Sequence, residues 1–283
     1  MIKSIAVIFH EHERKRNLPD FAIWHLARIW REQGLEVRFL FGTKKYLPAD
    51  LAIVHVDLTV VPQEYIEFAR RYPVSLNGRI KDIRKSLISK NRVFLDDGYE
   101  GPVIVKSELN YAGQPKRKLL RSALSRALFR MACHWPFKWP AGSHPEPYFR
   151  SPADYLIFRS PSLVPADWFG RDDILVEKFV PEIQDGLYCL RSFSFLGNHG
   201  ICTLRKSRHP IVNLSTTIHR EVVDVHPEIM KLTQALGFEY GKFDYVIHDG
   251  VPVLLDANKT PGAARDASYL AICAEWAKGI HYL

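Results

Sequence analysis

Cysteine is scarce in this sequence. Four occur in 283 residues, at positions 133, 189, 202 and 273, with no Cys-x-x-Cys pair and no histidine at zinc-ligand spacing beside them. That excludes a disulfide framework and a structural zinc site, and implies reduced thiols in a cytoplasmic protein. No apolar run approaches the ~20 residues that a membrane-spanning helix needs. The opening MIKSIAVIF is followed by HEHERKR, where a signal peptide would carry small residues and a cleavage site, so it reads as the first strand of a soluble protein. No G-x-G-x-x-G follows that strand, which removes residue support for a dinucleotide site. The histidines are scattered without a Ser-His-Asp or Cys-His arrangement, so no protein nucleophile is expected. There is no internal repeat and no low-complexity tract.

Basic residues are in excess. A formal charge of +8 points to polyanionic company such as nucleotides, nucleic acid or acidic substrates. With 47% hydrophobic residues the chain can bury a sizeable core. Residues 1–80 alternate IKSIAVIF, a helical PDFAIWHLARIWREQG ending at Gly34, LEVRFLF and LAIVHV, the pattern of a small α/β domain. RIKDIRKSLISK, residues 79–90, reads as a basic helix. In GPVIVKSELNYAG a β-branched run ends at Lys106 and opens into a polar loop closed by Gly113. That is an arrangement suited to cradling phosphate with backbone N–H groups and one point charge. Residues 114–132 read as a helix with an apolar stripe and Arg117, Arg121, Arg126 and Arg130 on its other faces, a candidate surface for an acidic partner. HWPFKWPAGSHPEPYFRSP reads as an irregular loop or lid. YCLRSFSFLGNHGICTLRKSRHP reads as a hairpin, and HPEIMKLTQALG as a helix ended by Gly237.

The stretch YGKFDYVIHDGVPVLLDANKTPG sets Asp244, Asp256 and Asn258 on two adjacent strands joined by an Asp249-Gly250 turn. A simple two-residue turn places Asp244 opposite Leu255, next to Asp256 and within reach of Asn258. Two carboxylates and an amide oxygen are hard ligands suited to Mg²⁺.

Together these motifs, across residues 80–270, resemble the ATP-grasp superfamily, in particular RimK-like, glutathione synthetase-like and D-alanine–D-alanine ligase-like enzymes. The resemblance implies an ATP-grasp α/β fold behind an N-terminal Rossmann-like domain. The expected divisions are 1–80, a central lobe 81–180, and a C-terminal lobe 181–283 with the metal site. It also implies the cofactors ATP and Mg²⁺, with Mn²⁺ as a substitute. Lys106 and the loop through Asn110 to Gly113 would cover the phosphates, with Lys90, or Lys85 as its rival, as an earlier phosphate-side lysine. ILVEKFVPE resembles the adenine hinge, Glu177, Lys178, Phe179 and Val180, with Glu182 or Asp185 on the ribose. Asp244, Asp256 and Asn258 stand at the metal motif, where Asp256 replaces the commoner glutamate. Arg205 resembles the family's oxyanion cation, while Arg191, Lys206, Arg208 and Arg220 lie near it in sequence. The implied activity is ligation of a small-molecule or peptide carboxylate to an amine or thiol through an acyl-phosphate. Alternatives are a phosphotransferase on the same fold and a non-catalytic nucleotide- or polyanion-binding protein.

Overall fold

A computed structural model describes residues 2–119, 149, 151–264 and 266–283. The chain forms two compact units, Met1–Ser89 with Val180–Leu283, and Lys90–Phe179. The predicted basic helix 114–132 and the proline-rich loop fall mostly outside the described residues.

The first unit begins with four parallel strands, β1 (Ser4–Phe9), β2 (Glu36–Phe41), β3 (Leu51–Val54) and β4 (Val74–Leu76), in the order β2-β1-β3-β4. The apolar runs of the two central strands, β1 and β3, suit a parallel sheet buried on both faces. Helix α1 (Ala22–Glu32) buries Ala22, Ile23, Leu26, Ala27 and Trp30, a stripe at helical spacing. It ends before Gly34, whose φ of 89° only glycine adopts freely. The residues before it, Leu18–Asp20, form a separate 3₁₀ turn rather than the predicted first helical turn. Helix α2 (Gln63–Ala69) packs on β3, and α3 is only Lys85–Ile88, not a helix over 79–90.

The second unit holds an antiparallel sheet β6-β5-β7, with β5 Val103–Ser107, β6 Leu156–Phe158 and β7 Ile174–Lys178, and a short helix α4 (Gln114–Leu119). The remainder of the first unit is an antiparallel sheet. It contains β8 (Glu182–Gln184), β9 (Leu187–Leu196), β10 (His199–Ser207), β11 (Thr217–Val223), β12 (Tyr240–His248) and β13 (Val251–Asn258), in the order β11-β10-β9-β12-β13 with β8 paired to β9. Helices α5 (Pro227–Ala235) and α6 (Ala267–Ala277) complete it.

Segments 1–80 and 181–283, expected as separate domains, share one core. Trp30 donates its indole N–H to the Ala277 carbonyl at 3.0 Å, and Trp276 stacks on Tyr240 at 5.4 Å between ring centres. Fully buried Asn77 donates to the Tyr240 carbonyl at 2.7 Å and accepts from the N–H groups of Glu239 and Tyr240. Apolar surface on both segments is covered only by joining them, which is why 80 is no boundary here. Trp276→Ala is expected to cost about 3–5 kcal/mol, read as a lower urea midpoint for the whole first unit. Loss of structure confined to residues after 180 would contradict a shared core.

Candidate active site

Alternation along the large antiparallel sheet divides it into two faces. Phe193, Phe195, Cys202, Phe243, Tyr245, Leu254 and Ala257 form one side of an apolar core. Ser192, Thr203, Arg205, Lys242 and Asp244 occupy the alternate positions. The polar face is therefore a consequence of strand period, not of any single motif.

The turn between β12 and β13 has the predicted residues, Asp249 at φ 49° and Gly250 at φ 77°, and pairs His248 with Val251. Register then departs from the simple expectation. A bulge between Asp244 and Tyr245 leaves Leu255 out of the ladder, so Asp244 pairs directly with Asp256 and Lys242 with Asn258. One extra residue matters because side chains alternate with period two; without it Asp256 would fall on the apolar face. The bulge puts both carboxylates on the polar side.

Cations surround the pair. Lys242 Nζ lies 2.7 and 2.9 Å from the two Asp244 oxygens, Arg205 Nη2 lies 3.8 Å from Asp244, and Ser192 donates its hydroxyl to Asp244. Burial alone would raise the Asp244 pKa, but Lys242 and Arg205 outweigh it and hold the carboxyl below its ordinary value. Lys85, only 4% exposed, stands 3.8 Å from Asp256. Lys90, its counterpart in the sequence reading, is exposed and begins the other unit. Arg205 pairs across strands with Arg220; burial and this second guanidinium lower its pKa, while Asp244 opposes them. Its Nε is buried without a hydrogen-bond partner among the described residues. A donor left unpaired in such a place is costly unless a ligand meets it.

The donor set fits a magnesium ion accompanied by phosphate. Asp244 and Asp256 are opposed hard oxygen donors, whereas Lys85, Lys242 and Arg205 together would repel a dication arriving without anions. Asn258 Oδ1 accepts from the Thr260 N–H at 2.8 Å. The Thr260 hydroxyl oxygen is closer to Asp57, 2.9 Å against 3.3 Å to Asn258, and its single proton given to Asp57 leaves a lone pair on Asn258 for a metal. Among the described residues no group of three or more His, Cys, Asp or Glu side chains is placed to hold a metal.

In the second unit, Lys106 and Glu177 form a buried ion pair at 2.5 Å. That pair turns the Glu177 carboxylate toward β5, and its other oxygen has no partner among the described residues. Lys178 and Phe179 direct their N–H groups to the carbonyls of Asn91 and Pro102. Lys178 is exposed beside the Tyr99 ring, and Val180 is half-buried at the start of the other unit. After β5, Tyr111, Ala112 and Gly113 have φ of 47°, 52° and 72°, and Asn110 is buried. Left-handed backbone at Tyr111 and Ala112 costs about 1–3 kcal/mol each, a strain that clusters at ligand-binding loops.

The two ribose candidates differ sharply. Glu182 is buried and already accepts from Arg191, Gln184 and the Ile247 N–H, whereas Asp185 sits at a turn with its side chain 89% exposed. Arg191 is thereby committed to Glu182, and Lys206 lies 3.8 Å from both Asp185 and Glu221. The sequence reading missed Lys242 and Ser192. Lys242 was within reach, two residues before Asp244 on one strand face; Ser192 is identified only by the β9–β12 pairing.

No protein-family model matches the sequence, and no curated protein does. Among solved structures, the chain is similar over 98% of its length to 98% of an ATP-grasp RimK domain protein from Sphaerobacter thermophilus, at 12% identity and a TM-score of 0.48. Over 99% of its length the chain is similar to 95% of a D-alanine–D-alanine ligase from Bacillus anthracis complexed with ATP, at 16% identity and a TM-score of 0.46. A RiPP-associated ATP-grasp ligase from Chryseobacterium gregarium is similar over 98% of this chain and 96% of its own, at 10% identity and a TM-score of 0.40. No described helix is long and apolar enough to cross a membrane.

Proposed function

We propose that the chain is a MgATP-dependent ligase of the ATP-grasp type, activating a carboxylate as an acyl-phosphate for attack by an amine or other nucleophile. The observation that carries this reading is the direct pairing of Asp244 with Asp256 beside Arg205, whose buried Nε has no partner among the described residues. Asp244, Asp256 and Asn258 would hold Mg²⁺, which neutralises phosphate charge and fixes the in-line geometry when bound.

Lys85 and Lys242, beside those carboxylates, are placed to pair with phosphate oxygens once these arrive. Lys106 supplies a cation at the end of β5, and the loop through Asn110 and Gly113 supplies backbone N–H groups. In this reading Glu177, Lys178, Phe179 and Val180 border the base, with the Lys178 and Phe179 N–H groups already engaged. Asp185 is the better ribose candidate because Glu182 has no spare capacity. A carboxylate oxygen attacks the γ-phosphorus as its bond to the β–γ bridging oxygen breaks, releasing ADP. The nucleophile then attacks the acyl carbon, phosphate leaves with the bonding pair, and the amine loses a proton to solvent. Arg205 would supply the positive charge that stabilises the acyl oxygen as its negative charge grows.

The test is ADP release across paired panels of acids and amines. The proposal expects ADP and free phosphate only when both an acid and a nucleophile are present, with one carboxylate ¹⁸O appearing in the phosphate. ADP formed with a stable phosphorylated acceptor and no second substrate would mean a phosphotransferase.

A further inference from the structure

Strand order β2-β1-β3-β4 reverses direction between β1 and β3. In open parallel sheets that reversal opens a crevice at the carboxyl ends of the two strands, where ligands bind. The residues there are Glu11–Lys15 and Arg16 after β1, and His55, Val56 and Asp57 after β3. Charged groups at this place carry no role in the reaction derived above.

Arg16 lies over the Phe21 ring at 4.6 Å and uses Nη1 for both its carboxylate contacts, Glu13 at 3.3 Å and Asp57 at 2.5 Å. With the guanidinium clamped from behind, and its side chain 30% exposed, the Nε and Nη2 donors stand in a fixed plane with no bond among the described residues. This is the geometry that recognises a carboxylate side-on. His55, fully buried between Phe9 and Phe21, has neither ring nitrogen partnered among the described residues, and burial beside Arg16 and Lys259 keeps it neutral. Asp57 also connects the crevice to the metal strand, because its second oxygen holds Thr260, whose N–H fixes Asn258. A ligand on Arg16 is thus three hydrogen-bonded contacts from a proposed metal ligand.

We propose, resting on the ligase reading, that this crevice takes one substrate by a carboxylate that does not react, with Arg16 as its anchor. The substrate class is a small amino acid or dicarboxylic acid. Glu13 gives the binding a proton signature. It is pushed up to about 7 by burial first and Asp57 next, against the backbone N–H of His10 and the Arg16 charge. His10, His55, Tyr65 from α2 and Lys259, which lies near Asp57, are further titratable groups at the cluster. A second anion at Arg16 raises Glu13 further, so binding near pH 7 takes up a fraction of a proton.

The experiment measures the thermal midpoint of the full chain with Mg²⁺ and a non-hydrolysable ATP analogue. Glycine, L-alanine, L-glutamate and succinate are then added, each beside its carboxamide. At least one free acid is expected to raise the midpoint above that with nucleotide, its amide is not, and the arms separate amino acids from diacids. Arg16→Gln should abolish the increment while the nucleotide shift persists. Arg16→Lys, which keeps a charge against Glu13 and Asp57 if the glutamine variant does not fold, should weaken it about tenfold or more. Calorimetry in buffers of different ionisation enthalpy should show proton uptake that Glu13→Gln removes. Equal responses to acids and amides, no response in a wild type that responds to nucleotide, or an unchanged increment in a folded Arg16 variant would overturn the proposal. Loss of the nucleotide shift in the wild type would instead overturn the ligase reading.

Discussion

Asp244→Asn is expected to lower turnover about 10²–10³-fold while leaving the fold intact. Asparagine is isosteric and its carbonyl can still accept the Ser192 hydroxyl, so the strand pairing with Ser192 and Asp256 survives. What is lost is the charge that balances Lys242 and Arg205 and draws a dication to the pair. Turnover should fall together with Mg²⁺ affinity, which separates a metal role from a packing role. Asp256→Asn should act in the same direction, since it removes the other carboxylate of the pair. A folded Asp244→Asn protein with wild-type turnover and Mg²⁺ dependence would remove Asp244 from the site.

Lys106→Met should produce the largest loss of stability in the second unit. Lys106 and Glu177 are both almost wholly buried, and removing one partner of such a pair costs about 3–5 kcal/mol because the remaining charge has no solvent. The double change with Glu177→Gln should recover most of that stability, since no unpaired charge is left. Nucleotide affinity separates the two roles. If Lys106 meets phosphate, the double variant is stable yet binds ATP weakly. Recovery of both stability and affinity would make the pair purely structural.

The local motifs were legible in the sequence because each is set by a few neighbouring residues. Asp249-Gly250 marks its own turn through the left-handed φ that both residues adopt, and Gly34 and Gly237 mark helix ends in the same way. The bulge at Leu255 was not legible. VPVLLDAN alternates equally well in either register, and the choice depends on β9 and the apolar core behind it. Partners distant in sequence were likewise hidden: Glu182 read as a ribose candidate, and Arg191 and Ile247 reach it only after β8, β9 and β12 assemble. The ion pair of Glu177 with Lys106 was hidden in the same way, because β5 and β7 bring the two together only in the folded sheet. The expected boundary at 80 failed for a related reason, since local pattern does not reveal that Trp30 is covered by α6.

The central claim is that this chain carries a site for a metal ion and a nucleotide together. Its most direct test is the thermal midpoint with MgATP, with Mg²⁺ alone, with MgGTP and with ATP plus EDTA. MgATP at ~100-fold its dissociation constant should add about 2.7 kcal/mol, a shift of several degrees. Mg²⁺ alone should add almost nothing, because Lys85, Lys242 and Arg205 oppose a cation without phosphate. No shift at millimolar MgATP, or the same shift with Mg²⁺ alone, would contradict the account.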